Sequence, residues 1–260
     1  MNGDPPSARP TVATRMGAPR WSIALWRLLR AVLHVLHGFW IIQMRFTGWS
    51  EAQRGLVVQA WARKMLAIAG IALHVRGKQA PGPVLLVINH LSWLDILTIH
   101  AAGYCRFISK ADIKSWPLIG TLAAGAGTVF IERASRRDAH RVVHHMVRHL
   151  EEGEVLAVFP EGTTGDGLKL RAFHANLIQA AISAEVPVQP VALRFLDGNG
   201  HISHAPRYAD EDTLLGSVWR TFSASGVVAS VTYGEPERAL GRDRRRWARD
   251  LQREVESLLG

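Results

Sequence analysis

His90 and Asp95 are the first pair of residues that could do acid–base chemistry, and they follow the apolar run 84–89, which is typical of a buried strand. An imidazole can take a proton from a hydroxyl group near neutral pH, and a carboxylate can fix its tautomer and stabilise the imidazolium. Two residues five apart are separated by ~140° on an ideal helix, so these side chains cannot meet mid-helix. We therefore expect His90 in the turn before a helix and Asp95 in its first turns, with Ser92 suited to cap it. A capping network at a strand–helix junction would use the same residues.

The second constellation is the segment FPEGTTGDG at 159–167, which follows another apolar run. Its glycines and proline predict a tight loop whose backbone N–H groups can face a ligand. Gly162 and Gly167 have the spacing of a phosphate-binding loop, but Leu168 stands where such a loop needs lysine. A G-x-S-x-G motif is also missing, which disfavours a serine hydrolase. A structural turn with a surface Glu161 is the alternative reading.

Four segments together resemble the conserved blocks of the glycerolipid acyltransferase family, the lysophosphatidic acid acyltransferases and their relatives. NHLSWLD resembles the family's N-H-x-x-x-x-D block, GTVFIER its second block, FPEGT its third, and VPVQPVA at 186–192 its fourth. They occur in family order and at family-like spacing, and the segment 110–120 fits the stretch that links the first two blocks. The resemblance covers roughly residues 80–195.

The resemblance implies a role for each matching residue. His90 would be the general base, and Asp95 would orient and polarise it. The implied substrate-binding residues are Lys110 and Arg133 for an anionic head group, and Glu161, Gly162 and Thr163 in the acceptor-side loop; Pro187 and Pro190 would shape the strand beside the acyl donor. The implied reaction moves a fatty acyl group from acyl-CoA or acyl-acyl carrier protein to the hydroxyl of a lysolipid, with no cofactor and no metal.

One residue departs from the pattern of many lysophosphatidic acid acyltransferases, which carry arginine after F-P-E-G-T where this chain has Thr164. The form FPEGTTGDG resembles members that act on lyso-ornithine lipids or related lysolipids. Both acceptors stay open. A non-catalytic lipid-binding relative and a thioester hydrolase are further alternatives.

The charge balance favours anionic partners, since 31 Lys and Arg face 22 Asp and Glu for a net charge of +9. A membrane surface explains this charge better than nucleic acid, because the chain has no recognised DNA-binding motif. Histidine pairs at i,i+4 in 134–152 have a metal-binding spacing, but the neighbouring arginines repel a cation and we expect no metal there. The single cysteine, Cys105, excludes an intrachain disulfide and fits a small buried residue.

The N-terminal quarter predicts a disordered tail at 1–20 and membrane-associated helices at 21–70. Residues 21–44 are strongly apolar, yet Arg27, Arg30, His34 and His37 share one helix face. This pattern favours a basic amphipathic helix in the membrane interface over a full span or a core helix. With the resemblance, it predicts a protein on the cytoplasmic face of the cell inner membrane.

From residue 71 strand-like and helix-like segments alternate, which predicts an α/β domain at 71–260 with a central mixed sheet flanked by helices. A helix is expected around 114–125, a strand at 127–133 and a basic helix at 134–152. Residues 196–225 are expected to be irregular, before a late strand at 227–234 and a closing helix in the arginine-rich 238–259.

Overall fold

The computed structural model describes residues 20–131, 136–209 and 212–260. Its centre is a seven-stranded sheet in the order β1-β7-β6-β2-β5-β3-β4. The strands are β1 (Ile71–Arg76), β2 (Val84–Ile88), β3 (Arg106–Lys110), β4 (Val129–Ile131), β5 (Val155–Val158), β6 (Val188–Leu196) and β7 (Val227–Tyr233). Five neighbours, β6 to β4, run parallel, whereas β7 is antiparallel to β6 and pairs in parallel with β1. The predicted central mixed sheet is therefore confirmed.

Eight α-helices occur in the described residues, and six of them cover the two faces of the sheet. The eight helices are α1 (Arg20–Arg45), α2 (Glu51–Ala69), α3 (Leu94–Ala102), α4 (Ile119–Gly125), α5 (Arg136–Glu151), α6 (Ala175–Ser183), α7 (Leu214–Ser223) and α8 (Arg244–Leu259). The helices α2, α3 and α7 share one core with the sheet, and α5, α6 and α8 share the other. The helix α2 contributes to the same core as β1, which follows the predicted boundary at residue 70. The division of the chain into domains at that residue stays a prediction.

The central strand β2 shows how the sheet divides the two cores. All five of its residues are fully buried, and successive side chains on a strand face opposite sides. Leu86 and Ile88 enter the core beneath α2 and α3, while Leu85 and Val87 enter the core beneath α5, α6 and α8. Each such side chain stabilises the fold by ~1.5–3 kcal/mol, which anchors the strand that precedes His90.

The pairing of β2 with β5 brings the two motif loops together. Val87 stands opposite Val158 in a parallel pair, so both strands end at the same edge of the sheet. The segment that begins at Asn89 and the segment that begins at Phe159 therefore leave the sheet side by side. This edge of an open α/β sheet is where ligands are commonly bound.

The helix α7 corrects the prediction that residues 196–225 are irregular. Its start is capped by Thr213, whose Oγ1 accepts the N–H of Gly216 at 3.1 Å. Its buried face includes Ser217 and Phe222, while Leu215 lies on the exposed face. Its apolar and polar residues recur at helical spacing, which the prediction of an irregular segment overlooked. Packing of Phe222 against the core stabilises a ten-residue helix that would be marginal alone.

Two predicted boundaries also change. The expected helix around 114–125 is a 3₁₀ turn at Ala111–Ser115 followed by the short α4, because Pro117 lies between them and cannot continue a helix. The expected strand 127–133 is observed at Val129–Ile131, and its last two residues lie outside the described part of the chain.

The helix α1 turns its apolar side chains outward. It is long and apolar enough to cross a membrane, and only 11% of its apolar window is buried, so the core-helix alternative is wrong. The exposed side chains on its apolar face include Trp26, Leu29, Leu33, Leu36 and Trp40. Trp and Leu on one exposed face suggest membrane association.

The polar residues of α1 divide into two kinds. Arg27 donates to the main-chain oxygens of Phe222 at 3.0 Å and Ala224 at 2.5 Å, at the end of α7. His34 stacks on Trp61 of α2 with ring centroids 4.8 Å apart. Arg27 and His34 thus bind the rest of the protein, whereas Arg30 and His37 are exposed. The predicted polar face is partly an inward, protein-binding face.

Candidate active site

The imidazole of His90 and the carboxylate of Asp95 are in direct contact. Nδ1 of His90 lies 2.7 Å from Oδ2 of Asp95. His90 lies in the turn between β2 and α3, and Asp95 lies in the first turn of α3, which begins at Leu94. Trp93 and not Ser92 holds the N-cap position, although Oγ of Ser92 accepts the N–H of Leu94 at 3.2 Å. The geometry expected from the five-residue spacing is confirmed. The same Oδ2 also accepts backbone N–H groups, so the pair is also part of the capping network that the sequence left open.

Asp95 is held by its backbone surroundings as well as by His90. Its side chain is 0% exposed, and Oδ2 accepts the N–H groups of Leu91 at 2.6 Å and Ser92 at 2.9 Å. An oxygen that accepts three bonds acts as an ionised acceptor, so Nδ1 of His90 must carry the proton of the neutral ring. Nε2 is then the basic nitrogen. It has no hydrogen-bond partner among the residues that the structure describes, and a fifth of the side chain is exposed.

The loop that follows β5 fixes the rest of His90. The backbone N–H of His90 donates to Oε1 of Glu161 at 2.7 Å, and its carbonyl oxygen accepts the N–H of Gly165 at 2.8 Å. The ring of Phe159 stacks on the imidazole with centroids 4.0 Å apart and planes 10° apart. One loop therefore contacts the base at its backbone N–H, its backbone carbonyl and its ring face.

Glu161 is a buried carboxylate, 4% exposed, so the surface-Glu reading of this loop is wrong. Its second oxygen, Oε2, accepts the backbone N–H of Arg171 at 2.8 Å. Burial raises the pKa of Glu161 above its ordinary value, because the charged form loses solvation, while the two backbone bonds and His90 act in the opposite direction. Both oxygens of Glu161 are thus engaged inside the protein.

The neighbouring Gly162 and Thr163 lie at the surface of the loop. Gly162 has a φ of +75°, and a side chain there would meet the ring of His174 at 3.0 Å, so glycine is required on two grounds. Thr163 lines a cleft of 370 Å³, together with Thr164, Arg171, Tyr208 and Ala209. One wall of this cleft is joined directly to the turn that carries His90, because the N–H of Tyr208 donates to the Leu91 carbonyl at 3.3 Å. Gly165, which donates to the His90 carbonyl, directly follows the lining residue Thr164.

Lys110 lies at the carboxyl end of β3, exposed, on the same edge of the sheet as His90 and Glu161. The structure places it at this edge but shows no contact between it and the His90–Asp95 pair. Arg133 lies outside the described residues. Its predicted head-group role stays a prediction.

Several residues support the site without having been singled out from the sequence. The amide of Asn89 bonds both the N–H and the carbonyl of Leu193, at 2.7 and 2.9 Å, which ties the end of β2 to β6. Trp93 donates through Nε1 to the buried hydroxyl of Ser217 in α7 at 3.1 Å. Asn89 and Trp93 stand within the NHLSWLD motif, and that motif was the only feature of the sequence that pointed to them. Nothing in the sequence analysis pointed to Ser217, because its helix was not predicted.

A group of side chains with metal-binding spacing occurs elsewhere. His149, Glu152 and Glu154 offer ligand atoms within 4.8 Å of one another. Glu154 comes before β5, at the edge of the sheet opposite to His90, and its Oε1 lies 2.9 Å from the guanidinium of Arg106. The guanidinium of Arg106 therefore already supplies the positive charge that a metal ion would bring to Glu154. The group lies apart from the candidate active site.

Proteins of known activity with similar sequences show the family of this chain. A family model described as Acyltransferase matches residues 72–194, a range that includes every site residue predicted above. The lyso-ornithine lipid O-acyltransferase of Pseudomonas aeruginosa is 36% identical over 195 residues, which cover 75% of each chain. This chain belongs to the acyltransferase family. The 1-acyl-sn-glycerol-3-phosphate acyltransferase of Neisseria gonorrhoeae is 39% identical over 189 residues, covering 72% of this acyltransferase and 73% of that protein.

A solved structure supports the fold of this acyltransferase. The 1-acyl-sn-glycerophosphate (LPA) acyltransferase PlsC from Thermotoga maritima superposes with a TM-score of 0.66. The match covers 92% of this chain and 97% of that chain at 19% identity, so it shows the fold and no more. This match confirms the predicted fold class, and the family model and the named relatives confirm the predicted resemblance and the acyltransferase activity. The roles of the individual site residues stay predictions.

Proposed function

We propose that this acyltransferase moves a fatty acyl group from a thioester, either acyl-CoA or acyl-acyl carrier protein, to the hydroxyl of a membrane lysolipid. The observation that carries the proposal is the His90–Asp95 pair, in which Nδ1 is bound to the carboxylate and Nε2 has no hydrogen-bond partner among the described residues. The names of the relatives support a lysolipid acceptor. The donor rests on the chemistry alone, because an acyl group must arrive on a good leaving group.

The proposed reaction needs one proton carrier. Nε2 of His90 takes the proton of the acceptor hydroxyl while the hydroxyl oxygen attacks the carbonyl carbon of the thioester. The C–S bond then breaks, and the leaving thiolate takes the proton back from the imidazolium, so that an ester and a free thiol are formed. A placed base of this kind contributes ~10²–10⁴ in rate. Asp95 stabilises the imidazolium during the interval when the proton is on His90.

Two acceptors remain in competition, lysophosphatidic acid and a lyso-ornithine lipid. Relatives named for each acceptor match at similar identity. Thr164 lines the cleft with a hydroxyl group where a guanidinium would suit a phosphate monoester. The lyso-ornithine alternative is therefore favoured by one specific residue of the cleft, and the glycerophosphate alternative by the wider family.

We also propose that the exposed apolar face of α1 seats the protein on the cytoplasmic side of the inner membrane. Acyl-CoA and acyl carrier protein are water-soluble donors, whereas a lysolipid resides in a bilayer. An enzyme that joins them must work where both are present. The outward Trp and Leu side chains of α1 support this placement.

The test is thiol release from palmitoyl-CoA by the full-length protein in mixed micelles. Lysophosphatidic acid and lyso-ornithine lipid are offered separately, and acyl-acyl carrier protein is the second donor. We expect release that depends on one acceptor and that falls by ~10²–10⁴ in His90→Ala. His201→Ala is the matched control, because His201 is a highly exposed histidine outside the site.

Three outcomes would contradict parts of the proposal. Wild-type turnover by His90→Ala would remove the base assignment. Thiol release without an acceptor would favour the thioester hydrolase. Failure of both acceptors with both donors would favour the non-catalytic lipid-binding relative.

A further inference from the structure

The carboxylate of Glu161 is bound on both sides by main-chain groups. Oε1 accepts the N–H of His90 at 2.7 Å, and Oε2 accepts the N–H of Arg171 at 2.8 Å. The side chain lies beneath the surface, with 4% of the residue exposed. A group that binds substrate needs an exposed oxygen with an unused lone pair directed at the ligand. Glu161 instead has each oxygen directed at the protein's own backbone.

The hold on His90 comes from two different parts of the chain. Asp95, from the turn and helix that follow, binds only the ring Nδ1. The backbone N–H is bound by Glu161, the backbone carbonyl by Gly165, and the ring face by Phe159, all from the loop after β5. Of these three loop contacts, only that of Glu161 carries a charge. Charge-assisted hydrogen bonds are roughly twice as strong as neutral ones.

We infer that Glu161 is a positioning residue, which sets the place of the His90 base through its main-chain N–H, and that it does not bind the acceptor. The inference rests on the proposed function, since it concerns the same base. It replaces the substrate-binding role that the sequence resemblance gave to Glu161. Through Arg171 the same carboxylate also fixes one wall of the cleft, so base and cleft are held at a constant separation.

The substitution Glu161→Gln tests this role while keeping the size of the side chain. A carboxamide offers one acceptor oxygen and one N–H₂ donor, so one of the two backbone N–H groups must then face another donor. The imidazole of His90 would then be displaced by a small distance. A misplacement of ~1 Å costs as much as ~10²-fold in rate. We expect kcat to fall by ~10–100-fold, with the KM values of acceptor and donor changed by less than about threefold.

The matched control is Asp243→Asn, because Asp243 also accepts two backbone N–H groups through its carboxylate, but at the start of α8 and outside the site. We expect its kcat to equal that of the wild type. Thermal unfolding of both variants and the wild type would establish how much protein is folded. Glu161→Ala, which removes both bonds, should show the larger loss of kcat if it remains folded.

A double variant separates positioning from a general structural effect. If Glu161 acts through His90, adding Glu161→Gln to His90→Ala should leave the residual rate unchanged, since the group being positioned is already gone. If Glu161→Gln instead disturbed the structure generally, it would lower the rate by the same factor in the wild type and in His90→Ala.

The outcomes are distinct for the inference and for the function on which it rests. A rise in acceptor KM with unchanged kcat in Glu161→Gln would overturn the positioning role and restore the substrate-binding role. An equal loss in the presence and absence of His90 would overturn it as well. A wild-type protein inactive with every acceptor and donor would instead refute the proposed function.

Discussion

Replacement of Asp95 by asparagine should separate the charge of this residue from its geometry. Oδ2 accepts two backbone N–H groups besides His90, so these donors select the amide oxygen of the new side chain for the same place. The amide nitrogen must then occupy the place of Oδ1, which is buried and has no partner among the described residues. The ring of His90 keeps its orientation, and the negative charge is lost.

The loss can be estimated from Coulomb's law. Two unit charges ~4 Å apart attract by about 4 kcal/mol at an effective dielectric constant of ~20. This energy corresponds to ~10³ in rate when the imidazolium is fully formed. Because the proton is only partly transferred in the transition state, we expect kcat to fall by ~10²–10³. The buried amide nitrogen without a partner should cost about 1–3 kcal/mol of stability.

The assay is acceptor-dependent thiol release, with kcat and both KM values measured beside thermal unfolding. Asp197→Asn is the control, since Asp197 is a carboxylate that accepts the N–H groups of Asn199 and His201 outside the site. A kcat for Asp95→Asn within about threefold of the wild type would refute the reasoning. So would a full loss of folding, because the argument requires the oxygen to keep its place.

Three further predictions concern stability, the membrane and the head group. Burial lowers the pKa of His100 to about 4, from 6.5, and both of its ring nitrogens lack partners among the described residues. Between these two pH values the unfolded chain binds more protons at His100 than the folded protein does, so the free energy of unfolding falls as the pH falls. The wild type should lose ~2 kcal/mol between pH 7 and pH 5 relative to His100→Leu in urea unfolding, and an equal difference at both pH values would contradict this. Leu33→Glu, on the exposed apolar face of α1, should weaken binding to anionic vesicles in sedimentation at least tenfold (~1.4 kcal/mol), whereas Leu240→Glu, also exposed but far from α1, should not; equal binding by both would count against α1 as the docking face. Arg133→Ala should raise the acceptor KM by roughly tenfold with little change in donor KM, and an unchanged acceptor KM would remove its head-group role.

Local patterns were sufficient wherever a residue's neighbours in sequence decide its state. The apolar run before Asn89 predicted β2 because a fully buried strand reads as an unbroken series of apolar residues. The five-residue spacing of His90 and Asp95 allowed contact only across a turn, and this contact is observed. By contrast, α7 was missed although its apolar and polar residues recur at helical spacing. A helix of ten residues is marginal by itself in water, and burial of Phe222 against the core stabilises it.

The inward direction of part of the α1 polar face was beyond the sequence. An amphipathic pattern tells which residues share a face, but not which face meets the protein. Arg27 was predicted on the basic face of a helix in the membrane interface, and it in fact binds the carbonyls at the end of α7. Its partner was unknowable without that helix.

The sequence by itself determined the acyltransferase family, the α/β fold class and the residues of the His90–Asp95 pair. Each of these can be recognised from short segments, because the residues that define it are close together in the sequence. Only the tertiary structure decided what Glu161 does. Its contact with His90 spans 71 positions of the chain and exists because β2 and β5 lie side by side in the sheet. Strand order is set by the packing of the whole core, so a motif could name this carboxylate but could not show that both of its oxygens face inward.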